Sequence, residues 1–319
     1  MSAWSPIPAL TTLLLLVLGV TWLAVLDRVV GDRMSGKKIA IGPSIAAAGR
    51  DALRLLFKES RPTERPDRLL WWAAPVLLLT LVMVALMVMP LAPGLVGGDL
   101  GVGVVFFTAM FALVMVAVFA AAWGPNSKYP LFAGYRFIGL MLAYEMPFAI
   151  AIIGVALPAE SLSVSAIAAS QQATVWNVLL QPVGFAIYLL SALAVAFWGP
   201  FDMVGSPDLA GGVELEMGGA PLLLWRFAHY GVFLAASAFA VPLYLAGGAG
   251  PVLPPAVWSL LKILTLSSLL LGVSHILPRR RLDRFMKRAW VGLIPLSLAN
   301  LFLVGLIMLV FPGLFGGGA

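Results

Sequence analysis

Eight runs of apolar residues, each long enough to cross a lipid bilayer, constrain this 319-residue chain more than any other feature. They cover about 5–26, 70–91, 102–123, 134–157, 176–198, 222–246, 255–277 and 290–311. About 20 consecutive apolar residues span a hydrocarbon core roughly 30 Å thick. Inside that core every backbone polar group must be satisfied by the chain itself, which a helix does segment by segment. The expected fold is therefore an all-α integral membrane protein, a single membrane domain over 1–319 with eight transmembrane helices. Proline and glycine punctuate the joins, as at Pro90, Pro93 and Gly94. The first run lacks a basic stretch ahead of it and is longer than a secretory apolar core, so it is expected to be retained. Composition agrees: 11% of residues are charged, against about 25% in a soluble domain.

The basic residues are distributed with the parity of the spans. Ten Lys and Arg lie between Asp27 and Leu69, and six between Arg279 and Arg288. Lys128 and Arg136 sit around the start of span 4, and Arg226 near the start of span 6. The connections after spans 2, 4 and 6 hold none, and neither do the termini. Basic connections stay in the cytoplasm. This places connections 1, 3, 5 and 7 there, in the cell inner membrane, with both termini on the non-cytoplasmic side. The net charge of +6 thus reads as a topology signal beside lipid, and no nucleic-acid partner is expected. Within the first connection, about 44–58, Ile45, Ala48, Leu53, Leu55, Leu56 and Phe57 alternate with Arg50, Asp51, Arg54 and Lys58. A helix there is amphipathic and basic, suited to lie at the membrane surface; a solvated linker helix is the plainer alternative.

With no cysteine and only His229 and His275, the chain is expected to hold no iron–sulfur centre, no metal and no covalently bound cofactor. Ionisable groups inside a span are costly and default to functional candidates. Glu145 lies near the middle of span 4, followed by Pro147, which frees a backbone carbonyl one turn earlier. A carboxyl with two accessible protonation states can relay protons, while a buried carboxyl that only bonds a neighbouring helix is the structural alternative. Lys262 lies a third of the way into span 7, where pairing with Glu145 competes with snorkelling. His229, two turns into span 6, and His275, near the end of span 7, read as histidines satisfied in the core. The connection after span 5 carries Asp202, Asp208, Glu214 and Glu216 and no base. Apolar residues among these acids suggest a folded, partly buried loop, one that would face the ten bases of connection 1.

The chain resembles the H subunit of proton-pumping NADH-quinone oxidoreductase, respiratory complex I, a family that includes the related membrane subunit of energy-converting hydrogenases. Asp27-Arg28 is similar to the family's Glu-Arg pair at the end of span 1, and Arg54 to Glu59 with Pro62 to its K-L-x-x-K-E-x-x-x-P stretch. Asn126 to Tyr129 is similar to N-N-K-Y, Ala143-Tyr144-Glu145 to S-Y-E, and Pro200-Phe201-Asp202 to P-F-D. Val175 to Asn177, Leu253 to Pro255 with Trp258, and Leu277 to Arg279 with Asp283 and Met286 follow in the family's order. The resemblance implies a non-redox subunit of a translocase that anchors a peripheral arm carrying iron–sulfur clusters. Its other partners would be small membrane subunits and antiporter-like subunits, with quinone as substrate. It further implies that Asp27, Arg28, Phe201, Asp202, Asp208, Glu214 and Glu216 surround a quinone chamber. Glu145 and Tyr144, together with Lys262 and His229, would lie on a proton path.

Departures from the family pattern concentrate at that chamber. After Pro-Phe-Asp the family continues P-E-A-E-x-E-L, whereas this chain reads Met-Val-Gly-Ser-Pro-Asp208-Leu. Two glutamates are missing. The family's R-x-G-P-N-R-x-G run after span 1 is here Met34 to Gly42, basic but without its proline and arginines. Two other readings stand beside the pump: the anchor of a hydrogenase or ferredoxin-linked complex without quinone, and a scaffold that has lost coupling. A stand-alone transporter fits less well, because no internal repeat of the kind such folds often show is visible.

Overall fold

The computed structural model describes residues 6–37, 41–60, 63–279 and 281–311. The chain is all-helical, with no β-strand among those residues. Lys38, Arg61, Pro62 and Arg280, and the first residue of the expected span 1, lie outside them. Seven helical stretches are long and apolar enough to cross a membrane: α1 (Pro6–Met34), α3 (Arg68–Met87), α4 (Gly103–Trp123), α5 (Lys128–Ala159), α9 (Gly219–Tyr244), α10 (Pro255–Ile276), and the run Leu282–Val310. That last run joins α11 (Leu282–Arg288) and α12 (Ile294–Val310) through a π turn at Ala289–Leu293. The surface helix α2 (Ile41–Phe57) follows α1. Between α5 and α9 lie α6 (Val164–Ala173), the single turn α7 (Asn177–Leu180) and α8 (Pro182–Val195).

The expected fifth span comes out shorter than its apolar run. Its helix holds 14 residues, about 21 Å at 1.5 Å per residue. Gln181 breaks the run, with ψ 66°, and Pro182 starts the new helix. The segment nevertheless traverses the bundle antiparallel to α5. Gln181 donates to the Gly154 carbonyl at 3.1 Å, the Tyr188 and Phe148 rings lie 5.1 Å apart, and the Phe197 and Phe137 rings 5.4 Å apart. Seven long helices plus this short one thus give the eight traverses that the hydropathy pattern predicts. Helices α1 and α10 run parallel: Trp22 donates to Ser268 at 2.9 Å, and Asp27 meets His275 at 3.1 Å. The end of the bundle holding Asp27 is called the charged end below.

Two boundaries moved for identifiable reasons. Helix α1 continues past the apolar run through Asp27, Arg28, Asp32 and Arg33. It stops at Gly36, whose φ of +76° is the left-handed geometry that glycine adopts without penalty. Helix α5 starts at Lys128, two turns before the apolar run, because Lys128 and Arg136 hid a helical start from a reading of hydropathy.

Helix α9 is the centre. It is apolar all round and buried from Val232 to Tyr244, as an axial helix must be. Ala235, Ala236, Ala238 and Ala240 keep its surface small, which lets neighbouring helices approach closely. Phe239 stacks on Phe107 of α4 at 3.6 Å. The buried Tyr188 and Tyr244 hydroxyls donate to the Ala236 and Ala151 carbonyls at 2.9 and 3.0 Å, so neither costs an unpaired polar group. At the far end Gln171 donates to the Pro242 and Leu243 carbonyls at 2.8 and 3.1 Å, closing the end of α9 with α6.

Candidate functional site

The loop Gly199–Gly218 is built by buried apolar residues and held by arginines. Phe201, Met203, Val204, Leu209 and Val213 are buried, and the Phe201 ring lies 4.4 Å from Phe285 of α11. Val213 N–H donates to the Val204 carbonyl at 3.1 Å. Gly212 makes that approach possible: its φ is +56°, and a Cβ there would collide with the same carbonyl. Each loop acid then finds a partner from a different element. Asp202 accepts from Arg279 at 2.7 Å and from the Gly205 N–H at 3.2 Å. Asp208 accepts from Arg136 of α5 at 2.6 Å. Glu214 accepts two bonds from Arg226 of α9, at 2.9 and 2.8 Å. Glu216 accepts from Ser127 at 3.0 Å.

The end of the loop packs against connection 1, with Gly218 and Gly219 beside the backbone of Lys58, Glu59 and Ser60, but among the described residues the charge partners of its acids come from α5, α9 and the segment after α10. The reason is geometric: the loop drops between those helices and buries its apolar residues there, which carries its acids within reach of their arginines. Burial pushes the Asp202 carboxyl up, against the opposing pull of Arg279. The Ser206 hydroxyl and the Arg136 guanidinium hold the Asp208 carboxyl below its ordinary value.

Two cavities adjoin at this end. The inner one, about 610 Å³, is bounded by the loop, α9 and the end of α10, with Asp202, Glu214, His229 and Arg279 in its walls. The outer one, about 920 Å³, lies between α1, α2 and α9 and is walled by Val20, Ala24, Ile45, Leu55 and Phe227 together with Arg28 and Asp51. Asp27, Arg226 and Tyr230 line both. Arg28 and Asp51 form an ion pair that ties α1 to α2, and the arginine holds the Asp51 carboxyl below its ordinary value. Helix α2 thereby turns Ile45, Ala48, Ala52 and Leu55 toward the outer cavity while Leu53, Leu56 and Phe57 stay exposed.

Of the residues singled out from the sequence, Asp27, Asp202, Glu214 and His229 line the inner cavity, and Asp27 and Arg28 the outer. Asp208 lines an adjacent recess with Arg136. Phe201 and Glu216 brace the loop from behind. His229 places Nε2 2.9 Å from the Ala196 carbonyl and stacks on Phe197 at 4.0 Å. Glu145 and Tyr144 lie apart from both cavities. They sit on α5 about 12 Å along the helix from Phe137, at 1.5 Å per residue. The Tyr144 hydroxyl and Glu145 Oε2 are buried with no hydrogen-bond partner among the described residues. Lys262 is brought to neither. Its ammonium donates to the Leu245, Gly247 and Ala249 carbonyls at 2.7, 2.9 and 2.8 Å and lies 4.5 Å from the Trp176 ring centre. That is the far end of α9. Among the described residues no ion pair joins it to Glu145. Sequence reading did not single out Tyr230, Arg136, Arg226 or Arg279 as site residues, and it read His275 as structural. Three of these four are explained by one signal, a loop of acids without a base of its own opposite arginines at span ends.

The family model described as NADH dehydrogenase matches residues 7–305. A curated H subunit of NADH-quinone oxidoreductase from Dehalococcoides mccartyi is 35% identical over 263 residues, covering 82% of this chain and 74% of that protein. An H subunit of the same enzyme from Cereibacter sphaeroides, the second of that name, is 36% identical over 258 residues, 81% of each chain. The H subunit from Anoxybacillus flavithermus is 34% identical over 314 residues, 94% of this chain and 92% of that one.

Proposed function

The chain belongs to the family of NADH-quinone oxidoreductase H subunits, and from that membership together with the paired cavities we propose that it is the membrane subunit of a complex I-type redox-driven proton pump. The carrying observation is the junction at Asp27, Arg226 and Tyr230, where an apolar cavity beside an amphipathic helix meets a polar one. A quinone has an apolar tail and a polar head. The outer cavity suits the tail and the approach from lipid, and the inner cavity suits the head. Phe201, Asp202, Asp208, Glu214 and Glu216 then act as chamber residues by shaping and charging its loop wall, and Asp27 and Arg28 by forming its entrance.

The chain carries no cysteine and, among the described residues, no group of side chains that could hold a metal ion. Electrons in this reading come from iron–sulfur clusters in peripheral-arm subunits docked on the charged end, and protons leave toward small and antiporter-like membrane subunits. The charged end faces the cytoplasm across the inner membrane. Reduction changes the charge held in the inner cavity, and the loop acids respond with altered proton affinity. Glu145 and Tyr144, whose Oε2 and hydroxyl have no partner among the described residues, are the next polar groups along α5, and His229 of α9 lines the cavity itself. Lys262 enters the path only if its carbonyl clasp opens.

The test is Glu145→Gln in the assembled complex in sealed vesicles, with quinone reduction and proton translocation measured together. Retained reduction with at least a tenfold loss of translocation is expected. Full translocation with normal assembly removes Glu145 from the path. The altered sequence after Asp202 favours one other reading, an anchor for a ferredoxin-linked complex without quinone. Identification of the co-purifying peripheral subunits, and labelling or no labelling of α1 and α9 by a photoreactive quinone, separate the two.

A further inference from the structure

Asp27 bridges two helices at the wall between the cavities. Its Oδ1 lies 3.1 Å from His275 Nε2 on α10, and its Oδ2 accepts from the Tyr230 hydroxyl of α9 at 2.7 Å. The other ring nitrogen of His275, Nδ1, lies 2.9 Å from the Leu271 carbonyl oxygen. A carbonyl oxygen can only accept, so Nδ1 carries a proton and donates it. A carboxylate oxygen can also only accept. The contact at Nε2 is therefore satisfied in two ways alone: an imidazolium against a carboxylate, or a neutral imidazole accepting from a protonated Asp27. Both arrangements hold the same number of protons. Remove one while Nδ1 keeps its bond to the Leu271 carbonyl, and the Nε2 lone pair faces the Oδ1 lone pairs at 3.1 Å, a contact with no hydrogen between and net repulsion.

We propose that Asp27 and His275 form a proton-operated clasp that closes the passage between the outer and inner cavities. With the shared proton in place, α1 and α10 are tied across the junction and Asp27 is fixed between His275 and Tyr230. When the proton departs, the pair separates and Asp27 keeps only Tyr230. Because Asp27 and Tyr230 line both cavities, that release widens the opening between them. The occupant that must pass is amphipathic, with a polar head leading from lipid into the inner cavity; this step rests on the quinone reading above.

The neighbouring charges do not compete for the pair. Arg28 is committed to Asp51 on α2, Arg226 to Glu214, Arg279 to Asp202, and His229 to the Ala196 carbonyl. The separation of Asp27 and His275 along the chain, 248 positions in the printed sequence, means that the pair reports the docking of the first long helix on the second-last.

Two variants set the clasp in opposite states. His275→Gln keeps a donor near the Nε2 position but has no proton to lose, and His275→Leu has no donor. In the assembled complex, KM for a short-chain quinone is measured against pH. The wild type is expected to show a lower KM on the alkaline side. Both variants are expected to lose that dependence, with His275→Gln fixed at the high value, His275→Leu at the low one, and kcat little changed. Loss of a structural contact would not move the two variants in opposite directions. A KM profile unchanged from wild type in both overturns the proposal. A second measurement needs no quinone. The chain lacks cysteine, so spin labels on Gly31→Cys and Ile276→Cys report the spacing of α1 and α10 in the quinone-free complex. The spacing is expected to grow as pH rises and to stay constant in His275→Gln. A spacing independent of pH in the wild type overturns the clasp. Movement of the labels without any quinone reductase activity sustains the clasp and overturns the quinone reading instead.

Discussion

Replacing Lys262 by methionine separates two roles that the residue could hold. The ammonium donates three bonds of 2.7–2.9 Å to the carbonyls of Leu245, Gly247 and Ala249. Leu245 is the residue just past the end of α9, where the last carbonyls of a helix carry partial negative charge and lack intrahelical partners. Hydrogen bonds to a charged group contribute about 1.5–3 kcal/mol each, and a cation over an indole about 0.5–1 kcal/mol. Simple addition overstates the total, because Lys262 is half-buried and water can reach part of the freed end. About 3 kcal/mol is the expected loss for Lys262→Met, near the value of one strong bond plus the partly unsatisfied carbonyls left behind. By the usual entropy of unfolding this lowers Tm by on the order of 5 °C. The assay is thermal unfolding of the purified complex in parallel with proton translocation per unit of quinone reduced. A lowered Tm and an unchanged ratio of protons to electrons at permissive temperature are expected. A variant of wild-type stability that has lost translocation refutes this expectation, and returns Lys262 to the proton path. Lys262→Arg should recover only part of the loss, since a planar fork cannot aim its donors at three carbonyls around one point.

Two further outcomes concern the loop. As pH falls, Asp202, whose carboxyl is pushed up by burial, takes up a proton before Asp208, whose carboxyl is held down by Ser206 and Arg136. The contribution of Asp208 to stability is therefore present above the ordinary carboxylate range and lost only as pH falls through its depressed folded value. That of Asp202 is largest below the ordinary range and declines as pH rises through its raised value. Infrared titration should show the higher-titrating carboxyl band vanish in Asp202→Asn and persist in Asp208→Asn. Gly212→Ala should loosen the loop by more than about 1 kcal/mol, the least that a left-handed position costs a residue with a Cβ, and raise amide exchange from Met203 to Val213; unchanged exchange would mean that the loop can shift to accept the methyl group.

The spans were legible because the bilayer imposes a single rule on composition over about 20 residues at a time. The expected 102–123 and 255–277 stand beside helices at Gly103–Trp123 and Pro255–Ile276. Where the rule fails, charge or a polar break is the cause. Arg28 and Arg33 concealed the last turns of α1, Lys128 and Arg136 the first of α5, and Gln181 shortened α8. The amphipathic helix expected at 44–58 was legible from its mixed face and is found at Ile41–Phe57. The site was legible as a list of residues, chiefly acids, without their pairings. Which cation each would meet depends on separations along the chain of 72 between Arg136 and Asp208 and 77 between Asp202 and Arg279, and no local pattern carries that information.

That pairing also gives physical content to the chain's departures from its family. The stretch after Asp202 lost acids that the family pattern carries, yet every acid retained in the loop is held: three by an arginine and one by a serine. A loop acid left unpaired against a buried apolar turn would cost desolvation without return. One that is paired fixes the loop to α5, α9 and the end of α10 together. Fewer acids, three of the four neutralised by an arginine, make a cavity wall that is closer to electrically balanced and more firmly attached. In the reading proposed above, charge entering the inner cavity is met at Asp202, which burial already inclines toward its neutral form, and at the Asp27–His275 pair. The response is concentrated at two points of the cavity wall, one in the loop and one at the helix junction. Neutralising both by Asp202→Asn and His275→Gln should therefore impair coupling by more than the product of the single effects, because each can answer charge that the other no longer meets.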